Sequence, residues 1–154
     1  MATCYPMIYL DASSHVHGSP WSKKSHCLFL EKVSILTPHT IHLTINMVDA
    51  PTIQDINTKY RQQDYPTNIL SFTYETSETL ITGELVICPS VVREEALALA
   101  LSLDQHYAHL LIHGILHILG YDHETDEDAH IMEALETQWL LALGYKAPYL
   151  SSQA

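Results

Sequence analysis

The clearest pattern in the chain is strict alternation over residues 41–48, IHLTINMV. Ile41, Leu43, Ile45 and Met47 point one way, and His42, Thr44 and Asn46 the other. A period of two predicts a half-buried strand. NILSFTY at 68–74 and TGELVIC at 82–88 predict two more strands, joined by a hairpin-like loop, ETSETLI. Residues 5–10 suit a short first strand. Helical spacing appears elsewhere. Residues 21–36 can place Trp21, Leu28, Val33 and Ile35 near one apolar side. Asp49 with Pro51 reads as a helix start, and that helix ends near Arg61. Pro89 opens another helix through about Leu101, with the apolar run at 96–103 read as core. Ser102 and Gln105 form a capping box for a helix through AHLLIHGILHIL to Gly120. Thr125 and Asp128 cap the last helix, which has an acidic first turn and runs to about Gly144. The tail, YKAPYLSSQA, reads as frayed.

Strands and helices mix early, a hairpin follows, and helices close the chain. This predicts one α+β domain over residues 1–154, with a small mixed sheet of about four strands covered by about five helices. No apolar run is long enough to span a bilayer and the start lacks a secretory pattern, so the expected location is the cytoplasm, with no membrane partner. Cys4, Cys27 and Cys88 form no CxxC pair, so neither a disulfide framework nor a thiolate metal site is expected; each reads as an apolar filler or a free thiol.

Charge narrows the function. The formal net charge is −11, from 7 basic and 18 acidic residues. A broad electrostatic surface for nucleic acid needs many Lys and Arg contacts to phosphate and is excluded. The 11 histidines are many for 154 residues. Those at 15, 17, 26, 39, 42, 106 and 130 lack ligand spacing and are expected in loops or on the surface.

Three of the remaining four fall in HGILHILGYDH, residues 113–123. His113 and His117, four apart on a helix, can reach one ion. Gly120 permits the left-handed turn that ends a helix, and the chain then returns with His123. Three neutral imidazoles with an open fourth position suit a catalytic transition-metal site, zinc first among the candidates. His109 lies one turn before His113, but about 12 Å of helix rise separates it from His117, so both cannot bind one ion. It is expected to pack or to support the site from behind. The spacing also matches the zinc-protease pattern H-E-x-x-H-x-x-G-x-x-H, except that Gly114 stands where the protease carries its general-base glutamate. That counts against peptide hydrolysis. Asp122 and Glu124 could orient a histidine or assist proton transfer, or simply form an acidic helix entry with Asp126, Glu127 and Asp128. Met132 could lie beneath the site, though ordinary helix core is the simpler reading.

HGILHILGYDH, KYRQQDYPTNILSF at 59–72 and GELVI at 83–87 together resemble the YbeY family of rRNA maturation factors. The resemblance implies a metal-dependent endoribonuclease acting on single-stranded RNA, in maturation of the small-subunit rRNA 3′ end and in ribosome quality control. It implies metal ligands at His113, His117 and His123, with His117 also in the catalytic set, and a functional arginine at Arg61, whose fork could hold phosphate or pair with Asp64. Ser71 could touch RNA or end a strand. The implied partners are ribosomal RNA, small-subunit components and the GTPase Era. A non-catalytic assembly factor with a structural zinc, or a metallohydrolase of another substrate, are the alternatives. Two positions depart from the family pattern: Asn68 stands for an aspartate, and Glu84-Leu85 for Asp-Ile.

Overall fold

The alternating segment becomes β2 (Thr40–Met47) and is buried as its pattern demands: Ile41, Leu43 and Ile45 are inaccessible and Met47 nearly so. The structure is a computed structural model that describes residues 7–147. Cys4 and the tail beyond 147 lie outside the described residues. β1 (Ile8–Leu10) runs parallel to one side of β2, and β4 (Leu80–Ile87) parallel to the other. β3 (Ile69–Thr76) pairs antiparallel with β4, giving the order β1-β2-β4-β3. The sheet is therefore mixed, and β3 is an edge. The two hairpin strands extend further than the sequence suggests, leaving only residues 77–79 as a loop. The pairing of β3 with β4 shifts between Thr73 and Glu75, so Tyr74 is the extra residue of a bulge.

Among the described residues, five α-helices complete the fold: α1 (Lys23–Val33), α2 (Ala50–Arg61), α3 (Pro89–Ala98), α4 (Leu103–Ile118) and α5 (Asp126–Ala142). The N-cap half of each expected cap forms, while the Gln105 side chain donates to the Lys146 carbonyl at 3.3 Å instead of closing a capping box. Asp49, Ser102 and Thr125 accept from the backbone N–H of Thr52, Gln105 and Asp128. α4 is the central helix. Tyr107, Ala108, Leu111, Ile112, Ile115 and Leu116 on it are inaccessible and join the core formed by β2, β4, α1 and α5.

Two glycines let α4 lie close to the sheet. A methyl group on Gly114 would stand 2.7 Å from Leu85 Cδ2 and 3.0 Å from Ile69 Cδ1. One on Gly83 would stand 2.9 Å from two carbons of Ile118. Backbone proximity, not left-handed geometry, is the requirement at these two positions.

Three local expectations need correction. On α1 the buried residues are His26, Phe29, Leu30 and Val33, while Leu28 is 51% and Ile35 85% exposed. The helix starts after Trp21 and stops before Ile35, so only the spacing inside Lys23–Val33 defines its apolar stripe. His26 and His106 are core residues, not surface ones. His26 bonds the Ser22 carbonyl at 2.8 Å and the Tyr107 hydroxyl at 2.5 Å, and burial lowers its pKa. His106 Nε2 meets Glu95 Oε1 at 3.0 Å. Finally, the run at 96–103 is core only in part. α3 ends at Ala98, Ala100 takes a left-handed φ of 54°, and Leu97 and Leu99 turn outward.

Candidate metal centre and its cleft

The geometry of the histidine group follows from how α4 ends. Leu119 is the C-cap and Gly120 adopts φ of 105°. Tyr121 N–H bonds the Leu116 carbonyl at 3.0 Å and Gly120 N–H the His117 carbonyl at 3.0 Å. This pair of bonds is the Schellman arrangement, which reverses the chain within one turn. The reversal returns His123 to the face carrying His113 and His117. One ring nitrogen from each of the three histidines lies within 4.8 Å of the other two. His113 Nε2 and His117 Nε2 stand 3.0 Å apart, and His123 stacks on His113 with centroids 5.6 Å apart.

That arrangement fits a small divalent ion. Bonds of about 2.0–2.1 Å in a tetrahedral set separate ligand nitrogens by about 3.4 Å, so small ring rotations suffice. Protonation also favours it. Burial, followed by the adjacent His113 and His123, pushes the His117 imidazole down to about 4, against weaker opposing effects of the Tyr121 backbone and Glu136. A neutral ring presents a lone pair. Among the described residues, these three histidines are the only group of His, Cys, Asp or Glu side chains so placed.

Behind the group lies a residue that the sequence reading missed. Glu136 on α5 is 1% exposed. Its Oε1 meets His113 Nδ1 at 3.1 Å and its Oε2 meets His109 Nε2 at 2.5 Å. Burial acts to raise the Glu136 pKa, but the hydrogen bonds from His109 and His113 outweigh it and hold the carboxyl near 2. The residue is therefore a carboxylate under ordinary conditions. A signal was present: Met132, Glu136, Trp139 and Leu140 form the buried stripe of α5, and a lone carboxylate on such a stripe requires partners. His109 is thus turned toward Glu136 and also lines the cleft. Met132 is ordinary core.

The three histidines form one wall of an open cleft of about 730 Å³. His109, Asp122 and Glu124 line it too, and Asp122 Oδ1 accepts from the Glu124 backbone at 3.3 Å. Arg61 and residues 67–71, which lead into β3, also line it. Arg61 is the last residue of α2, whose turn is closed by Gln62 at φ of 57°. Its Nη2 donates to the Ser71 carbonyl at 2.8 Å, and its guanidinium lies over the Phe72 ring, 5.1 Å from the centroid. The alternative partner, Asp64, instead accepts from Gln54 at 2.9 Å. Ser71 meets Arg61 through its carbonyl.

Asn68 shows why an amide suits its place. Its Nδ2 donates to both oxygens of Glu95 at 2.9 and 3.2 Å, and Glu95 also meets His106. Burial acts to raise the Glu95 pKa, yet the bonds from His106 and Asn68 lower it overall.

Gly114 faces Leu85 and Ile69 rather than the cleft. A side chain there would be directed into the sheet. The site therefore lacks a carboxylate where the protease pattern supplies one, and the packing of α4 explains why.

Comparison with known proteins agrees with this architecture. The solution structure of TM1509 from Thermotoga maritima is similar at 25% identity with a TM-score of 0.60, over 96% of this chain and 92% of that one. A model of the family described as Endoribonuclease YbeY matches residues 19–144, a span holding the whole histidine group and Arg61. The chain belongs to the endoribonuclease YbeY family.

Proposed function

We propose that this protein is a metal-dependent endoribonuclease that cuts single-stranded RNA during small-subunit rRNA maturation. The observation that carries the reading is that Arg61 and the three histidines line the same cleft. His113, His117 and His123 would hold the ion, with zinc the best match to three imidazoles. Bound there, such an ion supplies Lewis-acid polarisation of a phosphoryl oxygen and of the attacking water.

The chain's own residues do the rest. Glu136 takes the Nδ1–H of His113 and leaves Nε2 as the lone pair facing the group, the usual way a carboxylate fixes a ligating imidazole. Arg61 spends one N–H on the Ser71 carbonyl and keeps donors for a phosphate. His117 presents a neutral ring at working pH. His109, anchored on Glu136, and the pair Asp122 and Glu124 border the reacting region.

Two other readings are weaker. A structural zinc would be closed by four protein ligands, whereas three histidines leave a position open, and His109 is turned to Glu136. A peptidase would hold an extended chain on the free edge of β3. Arg61 already occupies the Ser71 carbonyl on that edge, and Gly114 provides no base. The acidic chain, at −11, suggests that small-subunit components, Era among them, supply part of the affinity for ribosomal RNA. No described helix is long and apolar enough to cross a membrane, and a cytoplasmic site of action suits an rRNA substrate. The test is a substrate screen with metal-loaded protein. Cleavage of single-stranded RNA, with DNA and peptides left intact, is expected. Peptide cleavage, or no cleavage of any RNA alone or in assembled particles, would sink the proposal.

A further inference from the structure

Tyr60 is 53% exposed, yet it is not on the solvent face of its helix. α2 buries Ile53 and Asn57, and Tyr60 continues that stripe at the i, i+4, i+7 spacing. The ring packs against Phe72 in a T-shaped pair at a centroid distance of 5.5 Å and an angle of 74°. Tyr60 is thus an inward-facing residue that has run past the cover of the sheet. One face of Phe72 is shared with the Arg61 guanidinium, and the Lys59 ammonium lies 5.4 Å from the Tyr60 centroid. Two of the chain's seven basic residues therefore flank two rings, and one of the two, Arg61, lines the cleft.

Charge makes this placement informative. An RNA held mainly through phosphates needs many cations, and this chain carries a net −11. Stacking of bases on aromatic rings is the other general source of affinity for single strands, and it needs little charge. It also selects for single strands, because a base stacked inside a duplex has no free face.

We propose that Tyr60 and Phe72, bordered by Lys59 and Arg61, form a base-stacking subsite for an unpaired nucleotide flanking the phosphate that Arg61 holds. The inference rests on the endoribonuclease reading and deepens it. The subsite takes any base, since every base offers a π-face, and it sets single-strand preference by contact rather than by charge.

The test uses metal-loaded full-length protein and two probes of equal charge: a single-stranded RNA 12-mer and the same oligomer with abasic positions. Tyr60→Leu keeps an apolar side chain against Phe72 and removes the ring. Its affinity for the 12-mer is expected to fall about tenfold. The loss should appear in KM rather than kcat, and Tyr60→Phe should restore parent-like binding. The parent should bind the abasic oligomer about tenfold more weakly, and Tyr60→Leu should no longer distinguish the two probes. If Tyr60→Leu binds and cuts the 12-mer as the parent does, or loses equally on both probes, the subsite is wrong while the endoribonuclease reading stands. If the metal-loaded parent neither binds nor cuts RNA, both fail together.

Discussion

The two walls of the cleft are built in opposite ways. The histidine wall rests on α4, the most buried helix, and on the turn that follows it, with Glu136 of α5 behind. Glu136 is bonded from two sides, Gly114 sits against Leu85, and the Gly120 turn fixes the return of His123. The arginine wall is a helix end laid on an edge strand. Arg61 and Tyr60 are exposed, and few bonds hold them. On the proposed function, one wall needs fixed geometry to gather three ligands on one ion, and the other needs reach and tolerance for a flexible strand to enter and leave. Substitutions on the first wall should therefore couple to folding or metal retention, and those on the second to substrate alone.

The harshest way to break this contrast is Gly114→Glu, which would rebuild the protease pattern. An alanine methyl could be absorbed by rotation of the Leu85 and Ile69 tips. A carboxylate driven into that apolar contact is expected to cost about 3 kcal/mol or more, read as a large drop in the urea midpoint. If the variant folds normally and gains peptidase activity, the packing account of Gly114 is wrong. Arg61→Ala tests the other wall. Loss of a charged partner to phosphate should lower kcat/KM on RNA about 10- to 100-fold, with an unchanged melting temperature. Arg61→Lys should recover only part, since the fork is gone. Equal cleavage by Arg61→Ala and the parent would remove Arg61 from the site.

Glu136→Gln returns to the buried wall. Metal affinity, measured by competition with a chelating dye, should fall about 10- to 100-fold. An unchanged affinity would mean that Glu136 merely packs. The smallest effect is expected at Asn68→Asp, which would set two carboxylates against each other where Asn68 now donates to Glu95. Partial exposure screens that repulsion to about 1 kcal/mol. The sign with pH is fixed by Glu95, whose folded pKa is lowered from 4.5. Its bonds stabilise the parent above about 4.5, and that contribution is lost as pH falls through the lower folded value. The variant should therefore be the less stable protein at pH 7 and converge on the parent in acid. A constant difference across that range would contradict this.

Much of this was readable in advance where the signal was local. The alternation of β2, the caps at Asp49, Ser102 and Thr125, and the H-x3-H, glycine, histidine spacing each depend on a few consecutive residues. What stayed hidden depends on distant ones. The face of α1 could not be chosen before its ends were known. The order β1-β2-β4-β3 arises from pairing across the chain. Glu136 shares its stripe with Met132, Trp139 and Leu140, but only the packing of α5 against α4 names His109 and His113 as its partners. Tyr60 reads as surface until Phe72 arrives from another element, and Gly114 reads as a missing base until Leu85 and Ile69 show why a glutamate side chain has no room.

The central claim is that one ion held by the three histidines is needed for cutting RNA. It is tested most directly by titrating chelator-stripped protein with zinc while following cleavage of a single-stranded RNA. Activity should be absent at the start, rise with added metal and saturate at one equivalent, while His117→Ala stays silent throughout. Cleavage by the stripped protein at the loaded rate, or parent-like cleavage by His117→Ala, would contradict the account.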